Sequence, residues 1–165
     1  MATWDKKFGR PAAIIFSTTA LIGVSDYDSA TDLILTDHGR GDIQINAERI
    51  ETAARMIDGT YRSHYITEKK EFSLSWADVP SRKNNGAGTT YTADGFAGGL
   101  DIRDYLSNKS GTFYVKFVFN NSSATAPAAN PELVYKVMVK SYSYNVKNRS
   151  SKFDMMDVNL NLVEV

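Results

Sequence analysis

Apolar and polar residues alternate along most of this chain with the period of two that marks half-buried β-strands. Residues 12–17, an apolar run after Pro11, predict the first strand. Residues 23–41 are rich in Asp, Ser, Thr and Gly and predict a loop or long hairpin around a short strand at 33–35. Ile43, Ile45 and Ala47 then alternate with Asp42, Gln44 and Asn46. Asp58-Gly59 supplies the strongest short hairpin signal, because a type I′ turn needs two residues that accept positive φ. A two-residue loop there pairs Ile57 with Thr60, Met56 with Tyr61 and Arg55 with Arg62. In that register Ile50, Ala54, Met56, Tyr61 and Tyr65 share one face, which is expected to join the core. Arg49, Glu51, Arg55, Arg62, His64 and Glu68 share the other. A turn at 67–70 leads into Phe72, Leu74 and Trp76, which alternate with Glu71, Ser73 and Ser75 to complete a three-stranded meander.

Residues 81–90 are too rich in Gly and Asn for a strand and predict a flexible connection. One helix follows, with Asp101 as N-cap and Asp104 three residues on, in the positively polarised first turn. Ile102, Tyr105 and Leu106 make its apolar stripe, and Ser110-Gly111 ends it. The rest of the chain predicts strands. Residues 112–119 are apolar on both faces except for Lys116, as in a central strand. Residues 120–131 form a small-residue loop. Residues 133–146 change apolar parity between Val139 and Tyr142, so a β-bulge near Lys140-Ser141 is needed to keep one buried face. Met156, Val158, Leu160 and Leu162 line one face of the closing strand, 153–165.

Composition agrees with a mainly β globular chain. Nine Tyr and eight Phe stand beside only four Pro, a balance that favours strands. Lys+Arg and Asp+Glu both total 19, which argues against a general nucleic-acid binder, since that class carries a basic excess. The absence of cysteine removes disulfides, thiolate zinc sites and cysteine nucleophiles. The opening residues lack the apolar core of a signal peptide, and no apolar run approaches the roughly 18 residues of a membrane span.

Residues that often carry chemistry are present without the patterns that chemistry needs. His38 and His64 lie in different environments with no motif around either, and read as surface or interface residues. Residues 86–90 lack the lysine of a phosphate loop, and residues 95–99 lack the strand–turn–helix context of a dinucleotide site. Asp26, Asp28 and Asp32 fail the EF-hand pattern, where Thr31 and Asp37 replace its glycine and late glutamate, so a solvated loop is expected. Arg40-Gly41-Asp42 matches a cell-adhesion tripeptide too short to carry weight. Lys69-Lys70 and Arg82-Lys83 read as solvated turns. No catalytic residue, metal site or cofactor is predicted, and the chain is not expected to be an enzyme. The opposed Arg55 and Arg62 of the predicted hairpin are a mildly destabilising like-charge pair. Either both splay into water, or a carboxylate from another subunit sits between them.

The block RMIDGTYRSHYITEKKEFSLSWADVPSR (55–82) resembles segments of siphophage tail proteins, especially tail tube subunits. TADGFAGGLDIRDYL and SKFDMMDVNLNLVEV are similar too, so the pattern covers most of residues 43–165. The resemblance implies an antiparallel β-sandwich or barrel with one short flanking helix, as a single domain over 1–165. It implies hexameric rings stacked into a hollow tube, in which neighbours complete one another's sheets. Residues 23–41, 81–92 and 120–131 become the loops or arms that bridge subunits. The implied partners are other copies of the chain and other tail proteins (tape measure, terminator, distal tail), with DNA only in transit and no membrane. The implied location is the virion tail, after assembly in the host cytoplasm. Tubes that conduct DNA are usually lined by surfaces that do not hold it. The mixed face of Arg49, Glu51, Arg55, Arg62, His64 and Glu68 is therefore expected at a subunit interface rather than in the lumen. A tail terminator, head–tail connector or minor tail protein is the alternative within the virion. A β-sandwich module for carbohydrate or a cell surface is the alternative outside it, although most aromatics sit at strand-interior parity.

Overall fold

The computed structural model describes residues 13–20, 32–118 and 134–165. The predicted loop at 120–131 lies outside the described residues, as do Asp26, Asp28 and the rest of 23–31. The elements run β1 (Ala13–Ser17), β2 (Leu33–Ile34), β3 (Gln44–Arg55), β4 (Tyr61–Pro80), α1 (Gly99–Ser107), β5 (Phe113–Val118), β6 (Val134–Arg149) and β7 (Asp154–Glu164). They form one seven-stranded sheet in the order β2-β1-β5-β6-β7-β4-β3, antiparallel at every step. The expected mainly β, antiparallel fold with one short helix is observed, but the sheet is not closed into a barrel.

The sheet curls instead. Phe72 on β4 stacks on Phe117 of β5 with ring centroids 5.1 Å apart, although β6 and β7 separate those strands in the sheet. Tyr135 on β6 fills the hollow 5.0 Å from Phe72. Period-two alternation puts Met156, Val158, Leu160 and Leu162 of β7 on this concave side, where each is at most 1% exposed. Burying each such side chain contributes about 1.5–3 kcal/mol. Bulges keep the apolar parity aligned along the sheet. The register shift between Val139 and Ser141 lies where the sequence requires one, and it moves the inward set of β6 from Val137 and Val139 to Tyr142. A second irregularity, between Trp76 and Val79, keeps both of those side chains buried and leaves Asp78 at φ 53. Gly39 passes directly over this irregularity. Its φ is +67, its carbonyl accepts from Ala77 N–H at 2.7 Å, and a Cβ would collide with the Ala77 carbonyl oxygen.

Helix α1 covers the mouth of the curled sheet through Ile102 and Leu106, with Tyr105 against Phe16 and Phe113. Its start differs from the sequence expectation. Gly98 is the N-cap and Asp101 occupies the third helical position. Asp101 reaches back to accept from Gly98 N–H at 3.0 Å and from Lys83 N–H at 2.7 Å. This carboxylate serves the positively polarised helix end without being the cap itself. The close approach explains the glycine: a Cβ at Gly98 would lie 2.5 Å from the Pro80 carbonyl oxygen. Residues 81–90, expected as a flexible connection, are cross-linked by hydrogen bonds, because Asn84 bridges to Thr90 and Asn85 Oδ1 accepts from Ala87 and Thr89.

Gly98→Ala is expected to lower unfolding stability by about 1–3 kcal/mol in a denaturant titration, as overpacking does. Asp104 gives a pH test. Hydrogen bonds from Arg103, then from Arg82, hold its carboxyl below the ordinary value of 3.8. The stability it contributes is complete above that ordinary value and is lost as pH falls through the lowered one. Denaturation midpoints should therefore drop less steeply below about pH 4 in Asp104→Asn than in the parent.

Candidate assembly surfaces

The Asp58-Gly59 hairpin forms, but as an arm rather than as part of the core. β4 runs unbroken through residues 67–70, so the predicted turn there is absent. β7 pairs with β4 only from Glu71 onward, and β3 with β4 continue past it as a two-stranded ribbon. The base of the arm is tied down at Lys70, whose N–H donates to Glu164 Oε2 at 2.9 Å and whose ammonium lies 4.8 Å over the Tyr135 ring. From Lys70 to the tip the ribbon reaches roughly 30 Å at about 3.3 Å per residue. Every residue of β3 is exposed, and so are Tyr61, Tyr65, Ile66 and Met56. The expectation that Ile50, Ala54, Met56, Tyr61 and Tyr65 enter the core is overturned. Their alternation is real, but no third layer of the described residues lies over either face.

The register also differs, for a local reason. Gly59 N–H donates to the Met56 carbonyl at 2.9 Å and Met56 N–H to the Thr60 carbonyl at 2.8 Å, leaving a three-residue loop. Gly59 takes the left-handed position of that loop at φ 83. Asp58 stiffens it by accepting from both Thr60 N–H at 2.9 Å and Thr60 Oγ1 at 2.6 Å, which holds the Asp58 carboxyl below its ordinary range. The extra loop residue shifts the pairing by one. Arg55 faces Tyr61, Arg62 faces Ala54, and the predicted Arg55–Arg62 opposition does not exist. A bulge at Ile66 then shifts the register back, setting Arg49 opposite Glu68 and Glu48 opposite Lys69 as favourable pairs.

This redistributes the six predicted interface residues. Arg49, Glu51, Arg55 and Glu68 lie on one face of the ribbon together with Tyr61 and Tyr65. Arg49 bonds Glu51 Oε2 through Nε at 2.9 Å, and its guanidinium lies 5.0 Å from the Tyr65 ring centroid. Arg62 and His64 lie on the opposite face with Ile50 and Ala54. At the tip Ile57 is fully exposed. His38 is far from these residues in the fold and accepts from Ala93 N–H through Nδ1 at 3.1 Å.

Besides the side of β4 away from β3 at 61–70, two strand edges stand open among the described residues. Among the described residues nothing pairs with the outer edge of β3, and β5 covers β6 only at 134–137, leaving 138–149 unpaired on that side. Between these edges, the convex face of β4, β7 and β6 carries a polar pattern that the sequence analysis passed over. Ser73 and Ser75, Asn159 and Asn161, and Ser141 and Ser143 stand opposite one another across the three strands. The signal was present as Ser73 and Ser75 between Phe72, Leu74 and Trp76, and as Asn159 and Asn161 between Val158, Leu160 and Leu162. Among the described residues, no cluster of metal-ligating side chains is present, and no helix is long and apolar enough to cross a membrane.

No protein-family model matches the chain, and no curated protein sequence does. One solved structure similar to it is the tail of an empty GTA particle with C6 symmetry. The two share 9% sequence identity with a TM-score of 0.49, over 93% of this chain and 90% of that one.

The separation of arm and core gives a direct test. Ile57→Ser and Tyr61→Ser should each change unfolding stability by no more than about 0.5 kcal/mol, as surface substitutions do. Leu160→Ala should cost about 2–5 kcal/mol. Equal losses in a urea titration would show that the arm packs on the body.

Proposed function

We propose that this chain is a structural protein of a virion tail, without catalytic activity, whose copies join side by side into rings that stack as a hollow tube. The observation that carries this reading is the arm. An isolated two-stranded ribbon is at best marginally stable in water, and this one exposes Ile50, Ile57, Tyr61, Tyr65 and Ile66 along its length. Such surface has a physical purpose when another subunit covers it. The open edges of β3 and β6 supply the second contact. They lie on opposite flanks of β4 and β7 and are of similar length, so the β3 edge of one copy fits the β6 edge of the next. That is a heterologous contact, which closes a ring or grows a filament. The mixed charges of Arg49, Glu51, Arg55 and Glu68 then fix register between copies, with the desolvated Tyr61 and Tyr65 supplying most of the contact energy. The resemblance of residues 55–82 to tail tube segments points the same way, and implies six subunits per ring.

A terminator or connector would use the same side-to-side edges and stop at one ring, so the arm distinguishes them. Electron microscopy of purified protein should show long hollow tubes. Replacing residues 52–64 by a short turn should leave the fold intact by circular dichroism while tubes give way to single rings or monomers. Tubes that form normally without the arm would remove it from ring stacking, and a persistent monomer in the parent protein would overturn the reading.

A further inference from the structure

The convex face between the two open edges has a composition unlike the rest of the surface. Gln44, Ser73, Asn161 and Ser141 form one row across β3, β4, β7 and β6, and Ser75, Asn159 and Ser143 form the next. Asn161 Nδ2 donates to Ser141 Oγ at 2.8 Å across the row. A groove of about 560 Å³ lies over these rows, and Asp42 is the one ionisable residue in its lining. Charge enters at the two ends of the face as ion pairs, Lys140 with Glu71 at 2.6 Å and Lys147 with Asp157 at 3.0 Å.

This pattern suits neither a protein contact nor a nucleic-acid binding site. The two rows hold no large apolar side chain, which a stable protein interface needs at its centre. They hold no guanidinium or ammonium either, and affinity for a phosphate backbone comes from such cations through release of counterions. Hydroxyls and amides instead hold a layer of water. The side of the body that carries α1 is different, presenting Arg82, Arg103 and Lys109. There Arg82 and Arg103 are paired with Asp101 and Asp104, and the Lys109 ammonium lies over the Tyr105 ring, so that side carries charge where the two Ser/Asn rows carry none.

We propose that the Ser/Asn face lines the bore of the assembled tube, and that duplex DNA passes over it on bound water without being held. The inference rests on the tube reading above. Joining the β3 edge of one copy to the β6 edge of the next makes this face continuous around the ring. Its neutrality then supplies the non-stick lining by lacking cations, rather than by the repulsion of an acidic wall.

The chain has no cysteine, so one introduced thiol reports alone. Tubes of Ser143→Cys, with Asn159→Cys as a second variant, are treated with a small maleimide and with a maleimide on a polymer too bulky to enter the bore. Ser107→Cys on α1 serves as the outward control. The small reagent should label Ser143→Cys in tubes and in dissociated subunits, whereas the bulky one should lose nearly all labelling in intact tubes. The control should react with both. Bulky labelling of Ser143→Cys in intact tubes overturns the proposal by placing the face outside. Loss of small-reagent labelling in tubes overturns it by placing the face in a subunit contact. Ser143→Lys/Asn159→Lys tubes should in addition retain a short duplex oligonucleotide in a salt-sensitive way that parent tubes do not; equal retention in both overturns the proposal. A parent protein that forms no tubes overturns the assembly reading itself, before any labelling is compared.

Discussion

The structure depends on one constraint, that the even-numbered face of β7 stays dry. β7 is the longest strand among the described residues that is paired along most of its length on both sides, with β6 and with β4. Its Met156, Val158, Leu160 and Leu162 meet Phe72, Trp76, Ile102 and their neighbours in a single cluster. Because side chains alternate strictly, a one-residue slip anywhere along this strand would put its entire apolar set into water. The bulges in β6 and β4 follow from that. Each absorbs one residue where the sequence of the neighbouring strand falls out of phase with β7, and the pairing resumes with apolar residues inward. The curl of the sheet follows too, since only a curled sheet brings β5 over β4 and leaves room for α1 at the mouth.

What the constraint does not reach is left for other molecules. β7 ends at Glu164, and beyond it β3 and β4 continue with no layer of the described residues on either face. Likewise β6 continues past β5 with a bare edge. These are liabilities in a monomer, because open edges recruit strands. Here they are long, twelve residues in β3 alone, and β3 carries both signs of charge. Arg49 opposite Glu68 and Glu48 opposite Lys69 stabilise the ribbon internally while discouraging pairing with an arbitrary strand. The same residues that tolerate solvent in the free subunit can therefore select one partner edge over another.

The legible part of the fold was the part the core dictates. The strand at Phe72, Leu74 and Trp76, the closing strand, and the bulge near Lys140-Ser141 all followed from parity, because each is pinned against a buried face. The helix was legible from its stripe, although its start was misplaced by reading Asp101 as a cap rather than as the residue that reaches back to Gly98. The arm was the failure, and its cause is physical. Ile50, Ala54, Tyr61 and Tyr65 alternate like core residues, and alternation states only that two faces differ, not what covers them. Its register failed as well, because Asp-Gly serves both the two-residue loop and the three-residue loop with a left-handed glycine. The one-residue difference moved Tyr61 and Tyr65 onto the face with Arg49 and Arg55. The six residues expected on one face thus stand on the two faces of the arm, four on one and two on the other.

That mixing changes how the charged residues act. In the predicted register the arginines shared a purely polar face, where they either splayed into water or took a carboxylate from another subunit between them. In the observed register Arg49 already has Glu51 and the Tyr65 ring, and Arg55 stands beside Tyr61. A guanidinium packed on an aromatic ring keeps its charge while shedding part of its hydration, so burying the pair in a contact costs less than burying a bare cation. The arm therefore joins charge to aromatic surface, the combination that suits a specific contact between proteins. The Ser/Asn face of the sheet joins neither. The chain concentrates adhesive residues on the ribbon and keeps them out of the two Ser/Asn rows, beyond which Met138 and Val163 stand on the same face. The β3 strand contributes to both, through Arg49 on the ribbon and Gln44 at the rim of the neutral face.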